Sequence, residues 1–283
     1  MTPTLSGDDL GHALDALRAR VPLVHSLTNV VSANFLTNVL LAAGASNAHI
    51  DNTNEAAEFA RIAGAVLVNL GTPDDGTAAA FTLAARAAHD AGTPWVLDPV
   101  GVGGLTWRST LAADLLTLRP TAIRGNASEI IALAGRGGDT RGVDSADDAA
   151  AAVPAAVALL EHADVVSASG PVDHLVGRDR DGTVVGVRIG GGSAMLPRVT
   201  STGCALGGLV AAYLAVADTP LVGLAAAHAH VAVAAEIAEE TSTGPGSFAV
   251  AYLDALYSVD AATLADRARV AAFDVTVGKA GTR

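Results

Sequence analysis

Short apolar runs alternate with longer amphipathic segments through the first two thirds of the chain. Most of the runs are strongly apolar, as expected of strands buried on both faces of a parallel sheet, whereas SNAHI predicts only a weak strand. The runs are PLVHSL (22–27), SNAHI (46–50), AVLVNLG (65–71), PWVLDPV (94–100), TAIRG (121–125) and DVVSASG (164–170). The segments between them predict helices at 6–21, 29–44, 54–64, 74–92, 108–119, 127–135 and 144–163. This alternation predicts right-handed βαβ units and an α/β fold with a mostly parallel central sheet flanked by helices.

The pattern changes after residue 170. DHLVGRDRDGTVVGVRI (173–189) contains two alternating runs around Asp181-Gly182, which predicts a hairpin at one edge of the sheet. From Thr202 to the end the chain reads as mostly helical. The Gly-rich segment 135–145 is interpreted as a loop rather than a linker, so residues 1–283 are expected to form a single domain.

Composition limits the possible partners and the compartment. The 283 residues are 51% hydrophobic and 16% charged, with a formal net charge of -12. This charge does not favour nucleic acid or an anionic membrane as a partner. No charge-free apolar run approaches the ~20 residues of a membrane span, and the acidic N-terminal segment does not resemble a secretory signal. The single cysteine excludes an intramolecular disulfide, so a cytoplasmic protein is expected.

Polar side chains are concentrated where the predicted strands end. Ligands of open α/β sheets bind beyond the carboxyl ends of the strands, so these residues are candidates for a site. Asp98, before the Gly-rich turn of DPVGVGG, is suited to a metal-bound water, and in RGNASE Arg124 can clamp phosphate while Glu129 can reach hydrated magnesium. The alternative for each residue alone is structural: a turn cap, a solvated arginine and a helix-start capping box. Taken together, the residues favour phosphate chemistry.

The only cysteine lies in RVTSTGCALGGLVAAYLAV (198–216), directly after Gly203 and at the predicted start of a helix. Backbone N–H groups at such a position can bind an anion and lower the pKa of a thiol. The alternative is a buried structural thiol. His228 and His230 lie two residues apart on a predicted helix, so they are expected to face different directions and to serve packing or an interface rather than a metal.

Six segments together resemble the hydroxyethylthiazole kinase family of the ribokinase-like superfamily. They are PLVHSLTN, NFLTNVLLAAGAS, LVNLGT, VLDPVGVGG, IRGNASEI and VTSTGCALGGLVAAYLAV, in this order along the chain. The resemblance implies a ribokinase-like fold, ATP with Mg²⁺, and phosphorylation of the hydroxyethyl group of 4-methyl-5-(2-hydroxyethyl)thiazole in thiamine salvage. It also implies a homotrimer whose active sites lie at subunit interfaces.

The resemblance carries roles to individual residues. Arg124 and Ser169 would contact ATP, and Asp98 and Glu129 would organise the metal. Cys204 would lie beside the acceptor hydroxyl as the catalytic residue. The expected substrate-binding residues are Asn29, His49 and Ser201.

Two of these residues depart from the family pattern. His49 stands where the family usually has a methionine that lines the thiazole pocket, and Ser201 stands where it usually has a glycine. A different small heteroaromatic alcohol, such as a hydroxymethylpyrimidine, therefore stays open as the substrate. A catalytically silent ligand-binding homologue is a further alternative, and a cysteine hydrolase is disfavoured because the sequence places no histidine beside Cys204.

Overall fold

Nine strands form one sheet in the computed structural model, which describes residues 5–135, 149–179 and 181–275. The order across the sheet is β2-β1-β3-β4-β5-β6-β7-β8-β9. The strands are β1 (Leu23–Leu27), β2 (Ser46–Ala48), β3 (Ala65–Asn69), β4 (Trp95–Asp98), β5 (Ala122–Asn126), β6 (Val165–Ser169), β7 (Asp173–Arg178), β8 (Val184–Gly190) and β9 (Arg269–Phe273).

Strands β1 to β6 are parallel, as their buried apolar runs predict. Strands β7 and β8 form the predicted antiparallel hairpin, and Gly182 supplies the left-handed backbone (φ 80°) of its turn. The prediction of a mostly helical C-terminal region is confirmed by α8 to α11, but it did not include β9, which pairs antiparallel with β8. The hairpin thus lies near one end of the sheet, and β9 forms the edge itself.

Eleven α-helices occupy the described part of the chain. They are α1 (Gly7–Arg20), α2 (Ala33–Ala43), α3 (Ala56–Ile62), α4 (Asp75–Ala91), α5 (Thr106–Leu116), α6 (Ala127–Leu133), α7 (Val153–Leu159), α8 (Thr202–Leu214), α9 (Pro220–Thr241), α10 (Pro245–Ser258) and α11 (Ala261–Arg267).

The helices cover the two faces of the sheet and create two hydrophobic cores. Leu67 of β3 points into the core beneath α1, α2, α8, α9 and α10, whereas its neighbours Val66 and Val68 point into the core beneath α3 to α7. Side chains alternate between the faces of a strand, so a strand buried on both faces is apolar throughout. This explains why the sequence predicts β3 correctly.

Helix α9 is long and apolar enough to span a membrane by length and composition, but most of it is buried inside the protein. It packs against α1, α8 and α10 and against strands β7 and β8. In this structure α9 is therefore a core helix.

Some predicted helix boundaries hold and others do not. Ser6 caps α1 in a capping box with Asp9, and Gly44 ends α2 in the left-handed conformation. Helix α2 begins at Ala33 rather than at residue 29, because the Asn29 side chain accepts hydrogen bonds from nearby backbone N–H groups in a turn. Of the helix predicted over 144–163, residues 149–152 form a 3₁₀ turn before α7, and 144–148 lie outside the described residues.

We predict that Gly11→Ala lowers the free energy of unfolding although alanine is the better helix former. A Cβ at position 11 would lie 2.7 Å from the Ala261 carbonyl oxygen, so α1 and α11 would have to separate. Overpacking of this kind costs about 1–3 kcal/mol. Urea unfolding of Gly11→Ala and of the control Gly246→Ala measures this loss in the free energy of unfolding. Nothing lies within 4 Å of the added Cβ at Gly246, also in a helix, so that variant should not lose stability.

Candidate active site

Polar residues end four neighbouring parallel strands. Asn69 ends β3 and Asp98 ends β4, and their Cα atoms are paired in the sheet register. Asn126 ends β5 and Ser169 ends β6, and they are paired in the same way. The carboxyl ends of parallel strands lie at one edge of the sheet, so the sequence prediction of a shared polar rim is confirmed.

A chain of hydrogen bonds runs along this rim. The Asn29 side-chain amide donates to Asn69 Oδ1 (2.9 Å) and to Cys204 Sγ (3.5 Å). Asn69 Nδ2 in turn donates to Asp98 Oδ2 at 2.6 Å. On the far side of Asp98, its Oδ1 lies 3.7 Å from a guanidinium nitrogen of Arg124. The loop after β1, three strands and α8 thus meet at one polar cluster.

Asp98 is the most deeply buried acid of this cluster, with no exposed surface. Burial raises its pKa to about 7, and the neighbouring Glu129 carboxylate acts in the same direction. The Arg124 charge and the hydrogen bond from Asn69 oppose this shift. No donor among the described residues is within hydrogen-bond distance of Asp98 Oδ1, so one oxygen of a buried carboxyl group is left open.

Arg124 lies inside β5, and its side chain is held from two sides. Its Nε donates to Ser169 Oγ at 3.2 Å. Its guanidinium lies against Gly203 in the first turn of α8, where a Cβ would come within 3.3 Å of it. A fixed guanidinium and a helix N-terminus side by side form an environment that favours phosphate.

Glu129 and Asn126 form the capping box of α6 that sequence reasoning kept as the structural alternative. Glu129 accepts hydrogen bonds from the backbone N–H of Asn126 (3.0 Å) and of Gly101 (3.1 Å). The second bond holds the Gly-rich turn after β4 against α6. A carboxylate has about four lone-pair sites, so Glu129 can still accept a bond from a metal-bound water.

The two acids fit a hydrated magnesium ion rather than a closed metal cage. No group of three or more potential ligands among His, Cys, Asp and Glu occurs in residues 5–135, 149–179 and 181–275. Mg²⁺ is usually held by one or two carboxylates together with waters and substrate phosphates. The open Oδ1 of Asp98 supplies such a carboxylate oxygen.

Cys204 lies in the first turn of α8, as predicted, but burial outweighs the lowering of the thiol pKa that a helix N-terminus can give. Burial and the nearby Asp98 carboxylate raise the pKa of the thiol. Hydrogen bonds from Asn69 and Asn29 and the charge of Arg124 lower it by less. The effect of the helix N-terminus on the pKa is local and can be predicted from the sequence. Burial of the thiol by distant parts of the fold cannot.

Asn69 is the connecting residue that sequence reasoning underrated. Its place at the end of a buried strand was visible, but its hydrogen bonds to Asn29 and to Asp98 were not. Gly71 belongs to the same arrangement, because a Cβ there would lie 2.3 Å from the Asn29 side chain. In the LVNLGT segment, Asn69 is therefore required for its hydrogen bonds and Gly71 for the space that it leaves to Asn29.

Comparisons with known proteins show the family of this chain. Residues 14–262 match the model of the hydroxyethylthiazole kinase family. A curated hydroxyethylthiazole kinase of Rhodococcus erythropolis is 72% identical over 98% of this chain and 99% of its own length. The chain belongs to the hydroxyethylthiazole kinase family.

Comparison with solved structures identifies the fold. A hydroxyethylthiazole kinase protein from Pyrococcus horikoshii is 33% identical, with a TM-score of 0.83 over 94% of this chain and 99% of its own. A pyridoxal kinase of Bacillus subtilis, 17% identical, has a TM-score of 0.55 over 76% of this chain and 91% of its own, which shows a shared fold. The predicted ribokinase-like α/β fold is confirmed.

Ser201, the first departure from the hydroxyethylthiazole kinase pattern, precedes α8 in the left-handed conformation, with φ 73°. Glycine adopts this conformation without strain, whereas other residues lose roughly 1–2 kcal/mol in it. The Ser201 hydroxyl donates to the Val31 carbonyl oxygen at 3.3 Å. The serine therefore ties the start of α8 to the loop before α2.

His49, the second departure from that pattern, follows β2 at the same edge of the sheet. Its Nδ1 donates to the Ser26 carbonyl oxygen at 2.7 Å, and its Nε2 lies 3.3 Å from an Asp51 carboxylate oxygen. These bonds do not connect it to the cluster of Asn29, Asn69 and Asp98. Because its side chain is 30% exposed, it can still face a ligand.

We predict that Asp98→Asn stabilises the metal-free protein increasingly as pH rises from 5 to 8. The folded-state pKa of about 7 lies above the ordinary value of 3.8, so between these values the native state binds more protons than the unfolded chain. Raising the pH through this window therefore lowers the stability of the wild-type protein, and asparagine removes the effect.

Urea unfolding in EDTA at several pH values measures this difference. Asp260→Asn is the matched control, because Asp260 is an exposed helix cap whose pKa is lowered and asparagine caps equally well. Its difference from wild type should stay constant over the same range. Parallel curves for Asp98→Asn and wild type would contradict the assignment of a buried proton to Asp98.

Proposed function

We propose that this chain transfers the γ-phosphoryl group of ATP to the hydroxyethyl group of 4-methyl-5-(2-hydroxyethyl)thiazole in thiamine salvage. The observation that carries the proposal is the convergence of Asp98, Arg124 and Cys204 at the first turn of α8. Phosphoryl transfer depends mainly on positioning and on charge stabilisation. A buried acid, a fixed arginine and a helix N-terminus supply both. The family relationship specifies the acceptor.

We assign to each residue the role that the family relationship implies and that its surroundings support. Arg124 binds ATP phosphate beside the backbone N–H groups of α8, and Ser169 holds the guanidinium in place while contacting ATP. Asp98 and Glu129 hold hydrated Mg²⁺. When bound, the ion neutralises charge on the phosphates.

Cys204 contacts the acceptor hydroxyl and assists its deprotonation only modestly. Its pKa is raised by burial and by Asp98, so the thiol is protonated at neutral pH. A base whose pKa is far above the working pH is seldom in its active form. The thiol therefore acts mainly by orienting the hydroxyl, with Asn29 fixing the sulfur from the other side.

Asn29, Ser201 and His49 bind the thiazole alcohol. Asn29 and Ser201 join the loop before α2 to α8, and this loop exposes Val30 and Val31 by 80% and 57%. Exposed apolar side chains next to a site favour a subunit contact there. They support a subunit contact beside the site, and the homotrimer and its cytoplasmic location are proposed from the family relationship.

His49 favours a second candidate, a kinase of the same fold acting on another small heteroaromatic alcohol. Its imidazole places a polar, partly exposed group at the substrate side of the rim. Because Nδ1 donates to Ser26, Nε2 of the neutral ring is an acceptor. A pyrimidine alcohol that carries an amino group can donate to it, whereas a methionine at this position would favour a less polar ring.

A coupled assay of ATP consumption tests the two candidates directly. The panel contains the thiazole alcohol and a hydroxymethylpyrimidine, with wild-type protein and His49→Met. We expect magnesium-dependent turnover with the thiazole alcohol and a higher kcat/KM for it than for the pyrimidine. Preference for the pyrimidine that His49→Met reverses would support the second candidate. Tight binding of the thiazole alcohol without turnover would contradict the kinase assignment.

We predict that Cys204→Ala slows turnover without abolishing it. The loss should be smaller than the roughly 100-fold or more supplied by a well-matched general base, since the protonated thiol serves poorly as one. Cys204→Asp should retain more activity than Cys204→Ala, because a carboxyl group ionises more readily than this thiol. Steady-state kinetics gives kcat, and titration should give unchanged ATP affinity. Complete loss in Cys204→Ala with ATP binding intact would show an obligatory role for the thiol.

A further inference from the structure

A second buried network of side chains lies one strand beyond Arg124. His228 of α9 is almost completely buried, with Nδ1 2.6 Å from Asp173 Oδ2 and Nε2 3.1 Å from Ser167 Oγ. Asp173 Oδ1 accepts the backbone N–H of Gly170 at 2.9 Å. The network therefore joins α9 to the middle of β6, to the turn that follows β6 and to the first residue of β7.

The chemistry of the groups fixes the proton positions for a neutral imidazole. An ionised carboxylate only accepts hydrogen bonds, so Nδ1 of His228 carries the proton and donates it to Asp173. Nε2 is then the acceptor, and the Ser167 hydroxyl donates to it. Every polar atom of the His228 ring is satisfied, as a buried polar side chain requires.

The order serine, histidine and aspartate has the form of a hydrolase triad, but the geometry excludes that function. Ser167 has no exposed surface, so no substrate carbonyl can approach its Oγ. The network therefore has a structural role, which depends on the part of the chain that it holds in place.

What it holds is the turn that follows Ser169. Gly170 comes directly after Ser169, and Ser169 accepts the hydrogen bond from Arg124 Nε. Asp173 fixes the backbone of this turn through Gly170, and His228 fixes Asp173 from the helix above the sheet. We propose that Asp173 and His228 are positioning residues for ATP, which set the turn that carries Ser169 and thereby the orientation of the Arg124 guanidinium.

This inference rests on the assignment of Arg124 and Ser169 to ATP. A displacement of about 1 Å in a positioned group can lower catalysis by as much as 100-fold, so a partial loosening of the turn is expected to weaken ATP binding by about tenfold. The acceptor alcohol, bound beside Cys204 and Asn29, should be unaffected.

His230 offers a matched control on the same helix. It is also buried, but it lies two residues on, about 200° around the helix axis. Its Nδ1 accepts from the Tyr213 hydroxyl at 2.9 Å, and its Nε2 donates to the Leu256 carbonyl oxygen at 3.1 Å. Loss of this histidine therefore disturbs the helix packing of α8, α9 and α10 without touching the turn after β6.

The experiment compares full-length wild type with Asp173→Ala, Asp173→Asn, His228→Gln and His230→Gln. It measures the Kd for ATP with magnesium, the KM for ATP and for the thiazole alcohol, kcat, and Tm. Asp173→Ala and His228→Gln should raise the Kd and KM for ATP by about tenfold while the KM for the alcohol stays unchanged. Asp173→Asn should retain most of the affinity, because its side-chain oxygen can still accept from Gly170 and a tautomer change in His228 restores the other bonds. His230→Gln should lower Tm and leave the ATP values unchanged.

The possible failures are distinguishable. Wild-type ATP affinity in a folded Asp173→Ala overturns the positioning role, and so does an equal loss of ATP affinity in His230→Gln. Arg124→Ala, included in the same series, tests the underlying assignment. If it binds ATP as well as wild type does, or if wild type binds no ATP, the nucleotide assignment fails and the positioning role fails with it.

Discussion

The burial of the Asp98 carboxyl group is the constraint on which the rest of the site depends. A carboxyl group with no exposed surface is tolerated only where neighbours compensate for its lost hydration. Asn69 donates to one oxygen, and Arg124 faces the other. Asn69 must then be held by Asn29, and Arg124 by Ser169, so one buried acid fixes side chains from three other strands and a loop. The polar rim is a consequence of this requirement as much as of substrate binding.

The same requirement explains the glycines around α8. Gly203 gives the Arg124 guanidinium room to lie against the helix, and Gly207 brings α8 close to Asp98, where a Cβ would lie 3.2 Å from the carboxyl oxygen. Because these two positions of α8 have no side chain, the helix lies closer to Asp98 than it could with larger residues. The close approach excludes water, which raises the pKa of both Asp98 and Cys204. The electrostatics of the site thus follow from backbone proximity.

Much of the fold and of the rim could be predicted because each depends on local pattern. A strand buried on both faces is an apolar run, as in β3 and β4, and a polar residue at its end stands out, as Asn69 and Asp98 do. Strand β9 could not be found in this way, since its residues are mostly exposed or half-buried and do not alternate.

The network of His228 and Asp173 was not predictable for a different reason. Its members are 55 residues apart, and only the packing of α9 on the sheet brings them together. The rise in the pKa of Cys204 could not be predicted for the same reason, because it is caused by burial under segments that are distant in the sequence.

The position of β9 has a consequence for the order in which the molecule can be completed during synthesis. Strand β8 exposes a row of backbone N–H and C=O groups until β9 pairs with it, and all of α8 to α11 is synthesised between them. A nascent chain that has already assembled its parallel strands therefore still presents one open edge to other chains. Strand β9 is the last described strand to be made, so until then β8 can pair with a strand of a neighbouring copy, and afterwards β9 takes its place as the edge.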